Sequence, residues 1–359
     1  MVRKIIVVNP DFNLDQLTLS QVLPWGEIIK SLPIINALVV KVRKKAALTA
    51  LANEPWVQRV DDDCRITAVS EGEPAAERES ELNPQAQALP WGIKRIKANL
   101  AWPLSTGAKV KVAIVDTGID RYHKDLKVVG GVNTVNHGKT FHDDNGHGTH
   151  VAGIVAALNN SLGVVGVAPK ALLYGVKVLN KYGSGYLSDV IEGLQWCINN
   201  KMRVINMSLG TPFDYPSFYA AIVKVAQAGI TMVAAAGNSG CSGDTVIYPA
   251  KYPQVIAVTA IAQNDSFAYF SSCGPSVDLT APGVNIYSTY KGNSYAYMSG
   301  TSMATPHVTG TCALVLARKS LNPTQMITHL KKQAELLPGL NSDQQGAGLV
   351  NALAAVKNL

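Results

Sequence analysis

The chain has 359 residues, of which 47% are hydrophobic and 16% are charged. At roughly 150 residues per domain, this length predicts about two folded units with enough apolar side chains for a sizeable core. The composition excludes a largely disordered chain. No apolar run approaches the roughly 18 residues that cross a bilayer, so a membrane-spanning protein is excluded as well.

The N-terminus does not resemble a secretory signal peptide. In MVRKIIVVNPDFN only four apolar residues separate the basic pair from Asn9, whereas a signal peptide needs a longer apolar segment. The sequence therefore predicts either a protein that stays inside the cell or a chain from which a leader has been removed. The sequence does not decide between an intracellular and a secreted protein.

The net charge of +7 is divided unevenly along the chain. Residues 1–85 carry 10 basic and 12 acidic side chains, and residues 86–359 carry 22 and 13. The basic residues of the second part are scattered and are not interleaved with aromatic ones, which argues against a nucleic-acid site. We expect opposite charge to favour association of the two parts, and neither a nucleic acid nor a membrane as a partner.

The first part of the chain is predicted to be a small α+β unit over residues 1–65. Its predicted strands are KIIVVN, ALVVKV and WVQRVD, and its helical or loop segments are LTLSQVLPWGEIIKSL and KKAALTALANE. Residues 66–85 are rich in Glu and Pro, and after Val69 they contain no aromatic or β-branched residue. Because such a segment can bury little surface, we predict an acidic linker there.

From residue 86 to the C-terminus, predicted strands alternate with predicted helices. The strands are the near-continuous apolar runs VKVAIVD, LLYGVKVL, RVINMSL, TMVAAAG and VIAVTAI. The helices are GTHVAGIVAALNN, SDVIEGLQWCINNK and YPSFYAAIVKVAQAG. This alternation predicts an α/β domain with a mostly parallel sheet covered by helices on both faces. Ligands bind such sheets at the carboxyl ends of the strands.

Four residues at element boundaries are candidates for catalysis: Asp116 after a strand, His147 between two glycines before a helix, Ser302 before a helix whose first turn is expected to contain Pro306, and Asn238 after a strand. Each has an ordinary structural explanation as a cap or turn residue. A metal cluster of histidines around His150 is disfavoured, because a histidine on an apolar helix is more often a core residue.

Considered together, these four residues match one mechanism. A serine attacks an amide only when an imidazole takes its proton and a carboxylate holds that imidazole in one tautomer. An aspartic peptidase would need a second Asp-Thr-Gly segment, which is absent, or a homodimer, and its all-β fold disagrees with the parallel α/β pattern. An α/β-hydrolase would need Gly where Ala304 stands and a different chain order of the three residues. A cysteine peptidase is disfavoured, because none of the five cysteines lies in a motif that would pair it with a histidine.

Several segments resemble the subtilisin-like serine peptidases in the order in which they occur: VAIVDTGID, DDNGHGTHVAGIVAALNN, INMSLG, AAAGNSG, DLTAPG and SGTSMATPHVTG. The resemblance implies that Ser302 is the nucleophile, His147 the general base and Asp116 its orienting carboxylate. It also implies that Asn238 and the Ser302 N–H bind the oxyanion. The implied substrates are polypeptides that bind as an added strand between two segments, which are Gly183, Ser184, Gly185 and Ser208, Leu209, Gly210.

The same resemblance implies a calcium site. LNNSLGVVGVAP is similar to the family's calcium loop, and the implied ligands are the side chains of Gln87, Asp125 and Asn160 with the carbonyls of Leu158, Leu162 and Val164. Oxygen ligands of this kind suit Ca²⁺.

The first 65 residues resemble the family's propeptide, a small chaperone that inhibits the catalytic domain until it is cut off. The family pattern places the cut near Val69, but the segment similar to a mature N-terminus begins only at Ala86, so the expected cut lies between Arg65 and Gln85. Some relatives have a disulfide where Cys241 and Cys273 stand, and free thiols are equally expected. We expect a monomer, and the alternative to an enzyme is a non-catalytic binding scaffold of the same fold.

Overall fold

The computed structural model describes residues 2–12, 14, 17, 19–22, 24–43, 48–69, 71–76 and 87–359. Within these residues, no helix is long and apolar enough to cross a bilayer.

Four antiparallel strands form a sheet at the N-terminus in the order β2-β3-β1-β4. The elements of this N-terminal unit are β1 Val2–Val8, α1 Leu19–Val22, β2 Gly26–Leu32, a short 3-10 turn Pro33–Ile35, β3 Ala37–Val42, α2 Leu48–Ala52 and β4 Val57–Asp62. Alternate residues of β1 are buried on opposite faces: Ile6 and Val8 in the unit's own core, Ile5 and Val7 against the larger domain. Burial on both faces explains the continuous apolar run in this strand.

The strand β2 was not predicted from the sequence. Its residues belong to LTLSQVLPWGEIIKSL, for which helix or loop was expected, yet Gly26–Leu32 pairs antiparallel with β3. The β-branched pair Ile28 and Ile29 suits an extended chain. The β3 edge that accepts this strand is provided by tertiary structure, which the local pattern does not reveal.

The predicted linker over residues 66–85 is wrong in its first part. Two strands, β5 Arg65–Ala68 and β6 Glu71–Ala76, pair with the larger domain, and residues 77–86 lie outside the described part of the chain. Main-chain hydrogen bonds to a receiving strand require no apolar side chains. The low apolar content of residues 66–85 therefore does not exclude strands that pair through their main chain.

The larger domain is built on a seven-stranded parallel sheet in the order β15-β14-β13-β11-β7-β9-β8. The parallel sheet predicted from the sequence is confirmed, and its two edge strands, β15 and β8, were not among the predicted strands. Its strands are β7 Lys111–Asp116, β8 Val128–Asn133, β9 Leu172–Lys177, β10 Ser184–Tyr186, β11 Val204–Met207, β12 Leu209–Gly210, β13 Thr231–Ala235, β14 Val255–Ile261, β15 Leu279–Pro282, β16 Ile286–Tyr290 and β17 Ser294–Ser299. Its helices are α3 Trp91–Arg95, α4 Ala98–Ala101, α5 His147–Ala156, α6 Leu187–Asn199, α7 Pro216–Gln227, α8 Thr301–Leu316, α9 Pro323–Gln333, α10 Ser342–Gln345 and α11 Ala352–Lys357.

The N-terminal unit packs on α6 and α7 and is held there by polar contacts. Lys30 Nζ donates to Asp189 at 2.7 Å and to Glu192 at 2.6 Å. Asp63 accepts from the backbone N–H and the hydroxyl of Ser188, in the first turn of α6, at 2.9 Å each. A carboxylate there is stabilised by the unpaired N–H groups of the helix start. In these ion pairs the cation, Lys30, belongs to the net-acidic part of the chain, and the two carboxylates belong to the net-basic part. The net charges of the two parts therefore did not predict this contact.

Phe218 of α7 is fully buried and packs edge-on against Tyr252, with ring centroids 6.0 Å apart. We expect Phe218→Ala to lower the free energy of unfolding by about 3–5 kcal/mol, because a large cavity would remain. Denaturant unfolding in a Ser302→Ala background, which lacks the predicted nucleophile, measures the change. Phe213→Ala is the control, since this ring is 66% exposed. Equal effects of the two substitutions would contradict the packing described.

Candidate active site

Asp116 and His147 meet at the carboxyl end of β7. His147 Nδ1 lies 2.7 Å from Asp116 Oδ1, and because a carboxylate only accepts hydrogen bonds, Nδ1 carries the proton. Gly148 permits this approach, since a Cβ there would lie 2.1 Å from the Gly118 carbonyl oxygen. The proton on Nδ1 leaves Nε2 as the basic nitrogen.

The environment of His147 favours its charged form. Burial disfavours the imidazolium, but the charge and hydrogen bond of Asp116, with a contribution from Asp143, outweigh it and raise the pKa of His147 above its usual value. Its Nε2 is buried without a hydrogen-bond partner among the described residues. The ring is thus oriented by one nitrogen and free to exchange a proton at the other.

Ser302 lies in the first turn of α8, which begins at Thr301, so Pro306 falls in the second turn rather than in the first as expected. Pro306 has no N–H to offer the carbonyl of Ser302 four residues earlier. That carbonyl instead accepts from Ser208 Oγ at 2.9 Å, and Ser302 Oγ donates to the Ser208 carbonyl at 3.0 Å. The proline therefore leaves Ser302 free to bind the segment after β11.

Asn238 lies beyond the end of β13 with its side-chain amide fixed by Thr301. Its Oδ1 accepts from Thr301 N at 3.0 Å and from Thr301 Oγ1 at 2.9 Å. Because Oδ1 must face these donors, Nδ2 must face away from them, and it is buried without a partner among the described residues. An unpaired buried donor of this kind can stabilise a negative charge that forms beside it.

The two segments predicted to bind substrate lie on either side of the chain's own β5. This strand pairs antiparallel with β10 on one side and with β12 on the other. Ala68 N donates to the Gly183 carbonyl at 2.9 Å. Ser184 and Gly185 belong to β10 and face Thr67 and Ile66, and Leu209 and Gly210 form β12. An extended peptide thus fills the predicted groove.

The groove places the backbone of Val69 beside Ser302, the predicted nucleophile. Val69 N donates to the Ser208 carbonyl at 3.1 Å, the same carbonyl to which Ser302 Oγ donates at 3.0 Å. The backbone of Val69 and the hydroxyl of Ser302 therefore lie against one oxygen atom.

The residues predicted to bind calcium also converge. Gln87 Nε2 lies within 2.6–3.2 Å of Asn160 Oδ1 and of three carbonyl oxygens, which belong to Leu158, Leu162 and Val164. Asp125 adjoins this cluster through hydrogen bonds from Asn160 and from Val164 N. Burial raises the pKa of Asp125 to about 6. Four oxygen atoms thus surround Gln87 Nε2, and the buried carboxyl group of Asp125 lies beside them.

His150 and two of the cysteines have structural roles. His150 is fully buried between the carbonyls of Ile286 and Ala296, and burial lowers its pKa to about 3. No metal-binding group of three His, Cys, Asp or Glu side chains occurs in the described ranges. Cys241 and Cys273 form a disulfide, the first of the two alternatives that the sequence left open.

Comparison with known proteins identifies the class. The profile of the subtilase family, Peptidase_S8, matches residues 107–348. The chain is 48% identical to M-protease of Shouchella clausii over 78% of this chain and 73% of that one. It is 49% identical to Subtilisin Savinase of Lederbergia lenta over 76% of this chain and 100% of that one. It is 43% identical to Subtilisin E of Bacillus subtilis over 92% and 84%. The chain therefore belongs to the subtilase family, and it is a subtilisin-like serine endopeptidase.

Two residues of this site were missed by sequence reasoning. Thr301 orients the Asn238 amide through both its N–H and its hydroxyl. Tyr186 ends β10 and contacts two arginine side chains from residues 1–69. Proximity to Ser302 in the sequence could have drawn attention to Thr301. No sequence pattern marks Tyr186, because its contacts depend on how the N-terminal unit docks.

We expect Asp116→Asn to lower kcat/KM on the order of 10⁴-fold, because the amide no longer fixes the reactive tautomer of His147. Activity requires neutral His147, so it is lost as the pH falls through this group's pKa. Asp116 raises that pKa, and its removal leaves burial to lower it. The acid limb of the residual pH profile should therefore move to lower pH. Asp144→Asn, whose carboxyl group is half exposed beside Lys177, is the control, and an unmoved limb would contradict the assignment.

Proposed function

We propose that the chain is a precursor whose catalytic domain, residues 86–359, removes its own N-terminal unit through an acyl-enzyme at Ser302. One observation carries this proposal: Val69 N and Ser302 Oγ contact the same carbonyl of Ser208. The chain's own backbone thus lies in the groove as a substrate would.

The proposed reaction uses the side chains of Ser302, His147 and Asn238 in turn, and the hydrogen bond between His147 and Asp116 supports it. Ser302 Oγ turns from the Ser208 carbonyl toward His147 Nε2, gives up its proton there and attacks the substrate carbonyl. The negative oxygen of the tetrahedral intermediate is stabilised by Asn238 Nδ2 and by the backbone N–H of Ser302. The C–N bond breaks as His147 returns the proton to the leaving amine. Water then repeats these steps on the ester and frees Ser302.

The same contacts make the N-terminal unit an inhibitor after the cut. The strand β5 would keep its pairing with β10 and β12, and Lys30 and Asp63 would keep the unit on α6. External polypeptides would then bind only after the unit leaves the groove. All four reacting groups come from one chain, which supports a monomer as the active form.

We expect the full-length chain to cut the bond between Val69 and Ser70, because the backbone of Val69 lies beside the nucleophile. N-terminal sequencing after incubation with calcium should find a new chain that begins at Ser70. Ser302→Ala removes the attacking oxygen and should leave one intact chain. A new N-terminus elsewhere between residues 65 and 86 would contradict the register, and cutting by the Ser302→Ala variant would contradict the nucleophile.

Calcium is the cofactor that the cluster around Gln87 would bind. Its oxygen atoms come from three carbonyls, the Asn160 amide and one carboxyl group, the ligand types that Ca²⁺ prefers, and a bound ion would neutralise the buried charge of Asp125. Gln87 would join them through Oε1 after its amide turns, because its Nε2 faces these oxygens. The ligands would be Gln87, Asp125, Leu158, Asn160, Leu162 and Val164. When bound, the ion would supply no step of the reaction and would fix the loop between α5 and β9.

Residues 70–86 separate Val69 from Gln87, so both ends of this segment can occupy their sites in the uncut chain. We therefore expect calcium to stabilise the Ser302→Ala precursor before any cleavage. At a calcium concentration about a hundredfold above Kd, the gain is about 2.7 kcal/mol. Thermal unfolding with calcium and with a chelator measures this difference.

Two controls accompany the calcium experiment. Asp125→Asn should lose most of the calcium-dependent shift, and Mg²⁺ should not replace Ca²⁺ because it demands smaller octahedral sites. A precursor whose Tm is unaffected by calcium, while the cut enzyme responds, would show that the site forms only after processing.

A further inference from the structure

Tyr186 is held between two guanidinium groups. The guanidinium carbon of Arg3 lies 3.8 Å from the centre of the Tyr186 ring, and that of Arg65 lies 3.9 Å from it. Two such groups cannot share one face of a ring at this distance, so they cover opposite faces. A cation over an aromatic face is attracted by the negative charge density of the ring.

The two arginines have different relations to the groove. Arg65 belongs to β5 and lies opposite Tyr186 in the β5–β10 pairing. It stands four residues before Val69, so in a substrate cut after Val69 it is the fifth residue on the N-terminal side, the P5 position. Arg3 belongs to β1 and is anchored by Asp63 and Ser188. A peptide substrate could supply the first arginine but has no counterpart of the second.

Removal of the N-terminal unit would uncover both faces of Tyr186. Its backbone position is fixed by β10 and by its N–H, which donates to Asp189 at 3.1 Å. The ring would therefore remain beside the groove at the point where a substrate's fifth residue passes. Pairing of the backbone does not select the side chain of that residue, whereas the uncovered ring face could contact it.

We propose that Tyr186 forms a P5 subsite that selects arginine in polypeptide substrates. This inference rests on the proposed function, because it takes the chain's own residues 65–69 as a guide to how substrates bind. Overall charge does not explain such a preference, since residues 86–359 carry 22 basic and 13 acidic side chains. The selection comes from stacking of the planar guanidinium on the ring, which the compact ammonium of lysine matches less well.

The test uses acetylated peptides of the chain's own sequence, Arg-Ile-Thr-Ala-Val, with a chromogenic amide after Val. The first residue is Arg, Lys or Ala. The enzyme is prepared by self-processing of the full chain in calcium and is then separated from the cut N-terminal unit. We expect kcat/KM for the Arg peptide to exceed that for the Ala peptide about three- to tenfold, with Lys between them.

Four variants decide whether the ring is responsible. Tyr186→Phe keeps the aromatic face and should keep the Arg/Ala ratio, whereas Tyr186→Leu and Tyr186→Ala should bring it below about twofold. Comparing ratios within each variant cancels general effects on folding or catalysis. Tyr182→Ala is the matched control, because this neighbouring tyrosine is 78% exposed, and it should leave the ratio unchanged.

The possible results distinguish an error in the P5 subsite from an error in the proposed function. Equal cleavage of the Arg and Ala peptides by the wild type would overturn the subsite and leave the peptidase intact. An Arg preference that persists in Tyr186→Leu would also overturn it and would assign the preference to Asp189 and Glu192, freed from Lys30. Failure to cut any peptide would contradict the proposed function and the subsite with it.

Discussion

The shared polarity of seven parallel strands is the constraint on which the active site depends. Three of these strands, β13, β11 and β7, are neighbours in the sheet, and their carboxyl ends lead to Asn238, Ser208 and Asp116. Because parallel strands end at the same edge, residues far apart in sequence are brought together there. The starts of α5 and α8 then add His147 and Ser302. The reacting groups are thus fixed by rigid elements rather than by flexible loops.

Recognition of the chain's own residues 65–69 uses the backbone. The strand β5 lies between β10 and β12 and bonds to both. This kind of pairing accepts almost any side chain, so a peptidase built on it can act on many polypeptides. Selectivity must then come from the few positions where a side chain meets a specific surface, and the contact of Arg65 with Tyr186 is one such position.

The length of the segment between Val69 and Gln87 bears on the order of steps in the proposed maturation. In this chain the groove and the oxygen cluster around Gln87 are occupied at the same time, and no bond has to break first. Folding of the larger domain and binding of an ion can therefore precede cleavage. The N-terminal unit adds its own contribution, because Asp63 stabilises the start of α6 and Lys30 is buried against two carboxylates. Removing one partner of such a buried pair is costly.

The sequence by itself determined the α/β class and the major strands and marked Asp116, His147, Asn238 and Ser302 as candidates for catalysis, because apolar periodicity and short motifs are local properties. It did not reveal β2 and described β5 and β6 as part of a linker, since strands at these places depend on an edge that another part of the chain supplies. The disulfide of Cys241, the hydrogen bond that frees the Asn238 amide and the position of Tyr186 were likewise decided by tertiary structure. Each requires two segments that are distant in sequence to come into contact, and a local sequence pattern does not show which distant segments do so.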